Sequence, residues 1–133
     1  AVYDPPKKLM EKLIDLSEPG TVILAGGETR FKVTKSGGTG GRCQMLALEA
    51  LSYLKKEHVF LPLASDGIDN SDAAGVIADK RTVDKSKELN LDLESYIKNL
   101  QAYQVFEATE DLIFTGPTGA NVSDLYILLH EHD

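Results

Sequence analysis

The chain has no tryptophan and a single cysteine, Cys43, among its 133 residues. One thiol excludes an intrachain disulfide and a cysteine-built zinc cluster, and a reducing, cytoplasmic compartment is the expectation. Positive charge is also scarce. Lys and Arg total 14 against 21 Asp and Glu, for a net charge of −7. A phosphate-backbone binder needs a basic surface, so no nucleic-acid partner is expected. No apolar run reaches the ~20 residues of a membrane span, and no signal-peptide pattern opens the chain, so no membrane partner is expected either. Internal repeats and low-complexity tracts are absent. What is present is an ordinary globular composition, 42% hydrophobic and 26% charged, at the length of one domain. The chain begins at Ala1 rather than Met, which suggests processing or excision from something longer.

Against this background one stretch concentrates chemistry. The strand-like run Val59-Phe60-Leu61-Pro62-Leu63 is followed by Asp66-Gly67-Ile68-Asp69-Asn70-Ser71-Asp72. Three carboxylates three residues apart, at the end of a strand, can hold Mg²⁺, accept a proton or cap a helix. The spacing does not match a calcium-binding EF-hand loop.

The rest of the chain repeats the theme of a strand running into a polar loop. Residues 1–18 read as a linker or covering helix, with Pro5-Pro6 at its start and Leu9, Met10, Leu13 and Ile14 at helical spacing. Residues 19–133 read as a single domain. Thr21-Val22-Ile23-Leu24-Ala25 has the continuous apolar character of a buried strand and leads into Gly26-Gly27-Glu28-Thr29. Phe31 and Val33 alternate with polar residues as a half-exposed strand does. Ser36-Gly37-Gly38-Thr39-Gly40-Gly41-Arg42 feeds a helix bearing Cys43, Ala47, Ala50 and Leu51 on one face. A glycine loop at a helix N-terminus suits an anion, with Arg42 as a fork; the alternative is a plain connection. The loop is neither a P-loop nor a dinucleotide fingerprint. Helices are expected over residues 82–89, 93–100 and 103–109, with Asp92 capping the second, and short strands over 76–78, 112–114 and 125–129. His130 and His132 offer a minor metal-site alternative near the end of the chain.

The fold expected from this succession is α/β: a layered, mixed, mostly parallel sheet flanked by helices, with the polar loops gathered at one sheet edge. Those loops supply Glu28, Arg42, Asp66, Asp69, Asp72, Thr115, Thr118 and Asn121. An arginine, several carboxylates and glycine backbone are the parts that phosphoryl transfer uses. Each has a plainer use as a cap, an ion pair or a turn residue.

As a set, the loops resemble the signatures of the MOFRL domain, the carboxy-terminal part of class II glycerate kinases, long labelled hydroxypyruvate reductases. The matching motifs, in order, are Ala25-Gly26-Gly27-Glu28-Thr29, Gly40-Gly41-Arg42-Cys43-Gln44, the stretch Asp66 to Gly75, and Thr115-Gly116-Pro117-Thr118-Gly119-Ala120-Asn121 continuing to Leu125. The resemblance implies a two-domain kinase that uses ATP and Mg²⁺ to phosphorylate D-glycerate in a cleft between its domains. It implies Arg42, Asp66 and Asp69 as catalytic residues, and Asp66, Asp69 and Asp72 as metal ligands. It implies Gly26, Gly27, Glu28, Thr29, Gly40, Gly41, Thr115, Thr118 and Asn121 as substrate-binding residues. The implied partners are an amino-terminal kinase domain and a small hydroxy acid, and an orphaned interface leaves room for a homodimer. Cys43-Gln44-Met45 stands where the family usually carries Asn-Gln-Glu, which weakens any role at Met45. The family's nucleotide-binding half has no counterpart here, so the chain alone is expected to be inactive. The alternatives are a free-standing module that binds small anions without catalysis, and a hydroxypyruvate reductase, which the missing dinucleotide fingerprint disfavours.

Overall fold

The computed structural model describes residues 4–28 and 40–132. The expected strand around Phe31 and Val33 lies outside these residues. Helix α1 (Pro6–Leu16) starts at its prolines, with Pro5 as N-cap and Pro6 in the first turn, where a missing N–H costs nothing. It stops at Ser17, whose extended backbone leaves the helix and whose hydroxyl donates to the Ile14 carbonyl at 2.8 Å. Leu9, Met10 and Leu13 are buried in the main core, so α1 is part of the domain's packing rather than a linker.

The elements that follow are β1 (Thr21–Gly27), α2 (Arg42–Ala50), β2 (His58–Ala64), β3 (Gly75–Val76), β4 (Ala78–Asp79), α3 (Lys80–Glu88), α4 (Leu93–Lys98), α5 (Ala102–Thr109), β5 (Leu112–Ile113) and β6 (Asp124–His130). Helix α2 is buried on nearly every side, the signature of a central helix. It packs on β2 and touches α1, α4 and α5. Asp79 caps α3 in a reciprocal box with Thr82, and Asp92 caps α4 by accepting from the Ser95 N–H.

The strands form one sheet in the order β1-β6-β2-β3-β5, with β4 also paired to β2. Every pairing is antiparallel, which corrects the expected mostly parallel sheet. The reason is an insertion. β1 and β2 run in the same direction with α2 between them, as in a βαβ unit, but β6 lies between the two strands and runs the other way. β2 loses part of its ladder on its other side. It pairs with β4 at Val59 and Phe60 and with β3 at Leu63, skipping Pro62, which has no N–H to donate.

Because β6 is reversed, its first residue sits at the same sheet end as the last residues of β1 and β2. Gly27, Asp124 and Ala64 form one register row there. The polar loops that leave and enter these strands therefore gather at one edge.

The two faces of the sheet differ. Phe60, Tyr126 and Leu128 point into the core and are fully buried beneath the helices. The alternate residues Val22, Leu24, Val59, Leu61, Leu63, Leu125, Ile127 and Leu129 neither belong to that core nor pack against it. Among the described residues the helices that flank the sheet thus pack on one of its faces. Val22 and Leu24 are 61% and 67% exposed, so their face of β1 is not the buried one its apolar run suggested, and among the described residues β1 pairs with β6 alone.

Candidate functional site

The site is built around the start of α2. Its N-cap, Gly41, has no side chain to satisfy the first free N–H groups of the helix. Asp69 supplies that cap from another loop. Its Oδ1 accepts from the Cys43 N–H at 3.1 Å and its Oδ2 from the Gln44 N–H at 2.8 Å. The Gln44 amide returns the contact, donating to the Asp69 carbonyl at 3.0 Å and to the Ser71 hydroxyl at 2.9 Å. A β-carbon at residue 41 would collide with Asp69, which explains glycine there. Asp69 is only 5% exposed. Burial pushes its carboxyl above the usual range, and the N–H bonds from Gln44 and Cys43 pull it back.

The anion position at this helix N-terminus is therefore occupied by the protein's own carboxylate. An external anion was one of two readings of the loop from Gly40 and Gly41 into Arg42, a plain connection being the other; Asp69 fills the anion's place. Gly40 has a positive φ of 101° and lies against Gln44 and Tyr103.

Asp66 turns its Oδ1 back to the Ile68 N–H at 2.9 Å, closing a local turn. Its carbonyl accepts from the Thr118 N–H at 3.1 Å. Gly67 has a positive φ of 85°, and a β-carbon there would strike the Gly116 carbonyl. The loop before β6 is strapped to this turn. Ser65 accepts from the Val122 N–H at 2.8 Å and donates its own N–H to the Ser123 carbonyl at 3.2 Å. The Thr118 hydroxyl donates to the Ser65 carbonyl. Asn121 accepts from the Ser123 N–H at 3.3 Å, and Thr115 donates to its neighbour Gly116. The side chains of Thr115, Thr118 and Asn121 thus hold the loop's shape while these residues stay exposed.

Asp72 is exposed and accepts from the Tyr103 hydroxyl at 2.9 Å. The expected metal triad of Asp66, Asp69 and Asp72 therefore does not converge. One carboxylate turns back on its own loop, one enters a helix end and one faces a tyrosine. The one group of three among the described residues with metal-like spacing is Glu57, His58 and His130, whose ligand atoms lie within 4.8 Å of one another. It sits at the opposite end of the sheet. His58 Nδ1 there accepts from the Lys55 N–H at 3.0 Å, and His130 Nδ1 is 3.1 Å from the Ser17 hydroxyl. His130 pairs with His58 rather than with His132, which lies against Gly20.

Arg42 leaves the first turn of α2 toward the rim row. Its Nε donates to Asp124 Oδ2 at 3.2 Å and its Nη2 to Glu28 Oε1 at 3.4 Å. Asp124 is 3% exposed. Burial pushes its carboxyl up and the guanidinium beside it pulls it down. The Arg42 side chain stays about half exposed, at 49%, so its fork remains open to a ligand. Arg42, Glu28, Asp66 and Asp69 are thus brought to one rim, with Gly26 and Gly27 ending the adjacent strand. Thr29 lies outside the described residues.

Asp124 and Gln44 are the residues that sequence reasoning missed. Both fell inside the quoted motifs, but only the register of β6 shows that Asp124 opens a central strand beneath Arg42. Cys43, one residue into the same helix, is fully buried, and its thiol is pushed far above its ordinary value, chiefly by burial and then by Asp69 and Asp124. It is therefore no nucleophile.

Comparison with known proteins gives a consistent picture. Residues 21–124 match the model of the MOFRL family. The chain is 44% identical over 115 residues to D-glycerate 2-kinase of Thermotoga maritima, covering 84% of this chain and 27% of that one. It is 37% identical over 114 residues to glycerate 2-kinase of Pyrococcus horikoshii, covering 84% of this chain and 26% of that one. The crystal structure of glycerate kinase from Thermotoga maritima superposes with a TM-score of 0.88 at 31% identity, over 98% of this chain and 34% of that one. The chain thus spans about a quarter to a third of these relatives. No described helix is long and apolar enough to cross a membrane.

Proposed function

The chain belongs to the MOFRL family, and on that premise we propose that it is one wall of the active site of an ATP-dependent glycerate kinase. In this reading the longer protein transfers a phosphoryl group from ATP to a hydroxyl of D-glycerate. The observation that carries the reading is the rim itself. Glu28, Arg42 and Asp124, drawn from three separated stretches, meet at one sheet end, with Arg42 held between two carboxylates and still half exposed, and Asp66 follows two residues after β2 ends there.

The charge balance supports a half-site. The described rim carries Glu28, Asp66, Asp69, Asp72 and Asp124 against one guanidinium. Such a surface repels a triphosphate, so in this reading further cations come from outside the described rim, those of an amino-terminal kinase domain among them. Arg42 would receive the substrate carboxylate or the transferring phosphoryl group through the free part of its planar fork. Asp124 and Glu28 fix that fork before substrate arrives, which lowers the cost of orienting it. Asp69 acts at one remove. It holds the start of α2, and so Arg42, in place. Asp66 is the rim carboxylate with the freedom to meet a substrate hydroxyl, since its local bond engages Oδ1. Gly26 and Gly27 let a ligand approach backbone, and Thr115, Thr118 and Asn121 maintain the loop beside it.

Mg²⁺ bound with ATP would supply charge neutralisation at the phosphates in the longer protein. Asp66, Asp69 and Asp72 do not form a cage for it, so no step is assigned to it through this chain. The free-standing anion-binding reading is less well supported, because the helix N-terminus that would bind the anion is already filled by Asp69.

The test is a chimera in which this chain replaces the matching segment of the Thermotoga relative. Glycerate-dependent ADP formation is expected from the chimera and not from the 133-residue chain alone. Arg42→Ala should reduce turnover by ~10²-fold or more, as for loss of a transition-state charge contact. Activity of the Arg42→Ala and Asp66→Asn chimeras equal to that of the unsubstituted chimera would sink the site assignment.

A further inference from the structure

The sheet face that the described helices leave uncovered has no role in the chemistry above; Val22 and Leu24 on it are exposed and its central residues half-buried. Its residues form a register grid. Val22, Leu129 and Val59 make one row, Leu24, Ile127 and Leu61 the next, and Gly26, Leu125 and Leu63 the third. Every position is apolar or glycine, and none packs on the core. An antiparallel sheet with one face in water normally alternates apolar and polar residues. Three adjacent strands that are apolar on both faces have the pattern of a sheet covered on both sides.

We infer that this face is a docking surface for the part of the parent polypeptide that the relatives possess and this chain does not span, and that the docked body also forms the second wall of the cleft. Two observations choose this occupant. The solved Thermotoga relative has about two thirds of its chain outside the matched region. The grid also ends at the rim. Its third row is followed along each strand by the row Gly27, Asp124 and Ala64, which carries Arg42's anchor and points to the other face. A body seated on the grid reaches the rim by passing over that end of the sheet. A second copy would bring another acidic rim instead, which the half-site has no use for. The inference rests on the half-site reading for the cleft, and on the grid alone for the docking.

Cys43 makes a clean test possible, because it is the chain's only thiol and is fully buried. Leu24→Cys and Ile127→Cys each place a new thiol on the grid. Maleimide labelling is measured in the 133-residue chain and in the Thermotoga chimera, with unlabelled Cys43 reporting that each variant is folded. Two positions are used so that one failing to fold does not remove the test. The expected result is labelling at least tenfold slower in the chimera at both positions. Labelling at the same rate in both proteins overturns the docking, whether or not the chimera phosphorylates glycerate. Slow labelling in a chimera without kinase activity upholds the docking and overturns the catalytic reading. Slow labelling of the isolated chain, with doubled mass in light scattering, makes a second copy the occupant and overturns the proposal.

Discussion

Replacing Asp69 by asparagine separates a structural carboxylate from a catalytic one. Both of its oxygens accept N–H groups from the first turn of α2, at 3.1 and 2.8 Å, in a site 5% exposed. An amide keeps one acceptor and turns an NH₂ group toward the other N–H. That leaves one buried donor unpaired, at a cost of ~1–3 kcal/mol. It also removes a negative charge from the positive end of a helix, worth up to ~2 kcal/mol where partly buried. Against this, the carboxylate no longer has to be desolvated, the same burial that pushes its carboxyl upward. The net expectation is a loss of about 2 kcal/mol for Asp69→Asn, and about 3–4 kcal/mol for Asp69→Ala, which orphans both donors. With a urea dependence of about 2 kcal/mol per molar, the asparagine variant should unfold about 1 M earlier. Asp72→Asn, at an exposed position with one tyrosine contact, is the control and should stay within ~0.5 kcal/mol of the parent. An Asp69→Asn midpoint indistinguishable from the parent's would refute the reasoning, because it would mean that one oxygen already carries a proton and does not accept.

Two other outcomes follow from the geometry. Arg42→Ala should destabilise the domain by ~1–3 kcal/mol, because it leaves the 3%-exposed Asp124 carboxylate without its guanidinium, and it should raise the Asp124 titration further; carboxyl carbon NMR reads this directly, and an unmoved Asp124 would contradict the pairing. Burial holds His58 below its ordinary value of 6.5, with Lys55 and His130 acting in the same direction and Glu57 opposing. The unfolded chain then takes up the proton more readily, so stability is complete above about pH 6.5 and falls as the pH drops through that value toward the folded one; His58→Gln should flatten this slope in urea titrations at pH 7 and pH 5, and an unchanged slope would place the acid sensitivity elsewhere.

Local features were legible in the sequence wherever their cause was local. Pro5 and Pro6 announced α1, Asp92 announced α4, and the run at residues 59–63 became the middle of β2. The direction of the sheet was not legible. It depends on β6 entering between β1 and β2, a pairing between residues about a hundred positions apart, such as Ile23 with Leu128. The same blindness affected the site. The motifs named Arg42 and the aspartates together, but a spacing of three residues does not say which way each carboxylate points. Asp69 went to a helix end because Gly41 left that end uncapped, and Asp124 went unnoticed because its importance comes from the strand beside it. The glycine loop left an anion site and a plain connection equally open, and the carboxylate that fills the helix end comes from residue 69, a partner no local pattern names.

The position of β6 also bears on how the domain comes into being. The strand that both β1 and β2 require is the last of those described to leave the ribosome. Until it emerges, the two earlier strands have each other's direction but no shared partner, and their apolar residues stay in water. At ~5–20 residues per second, making the stretch from the end of β2 to the end of β6 takes several seconds. The nascent chain must therefore be shielded for that interval, and a truncation removing only residues 124–130 would discard the keystone of the sheet rather than a dispensable tail.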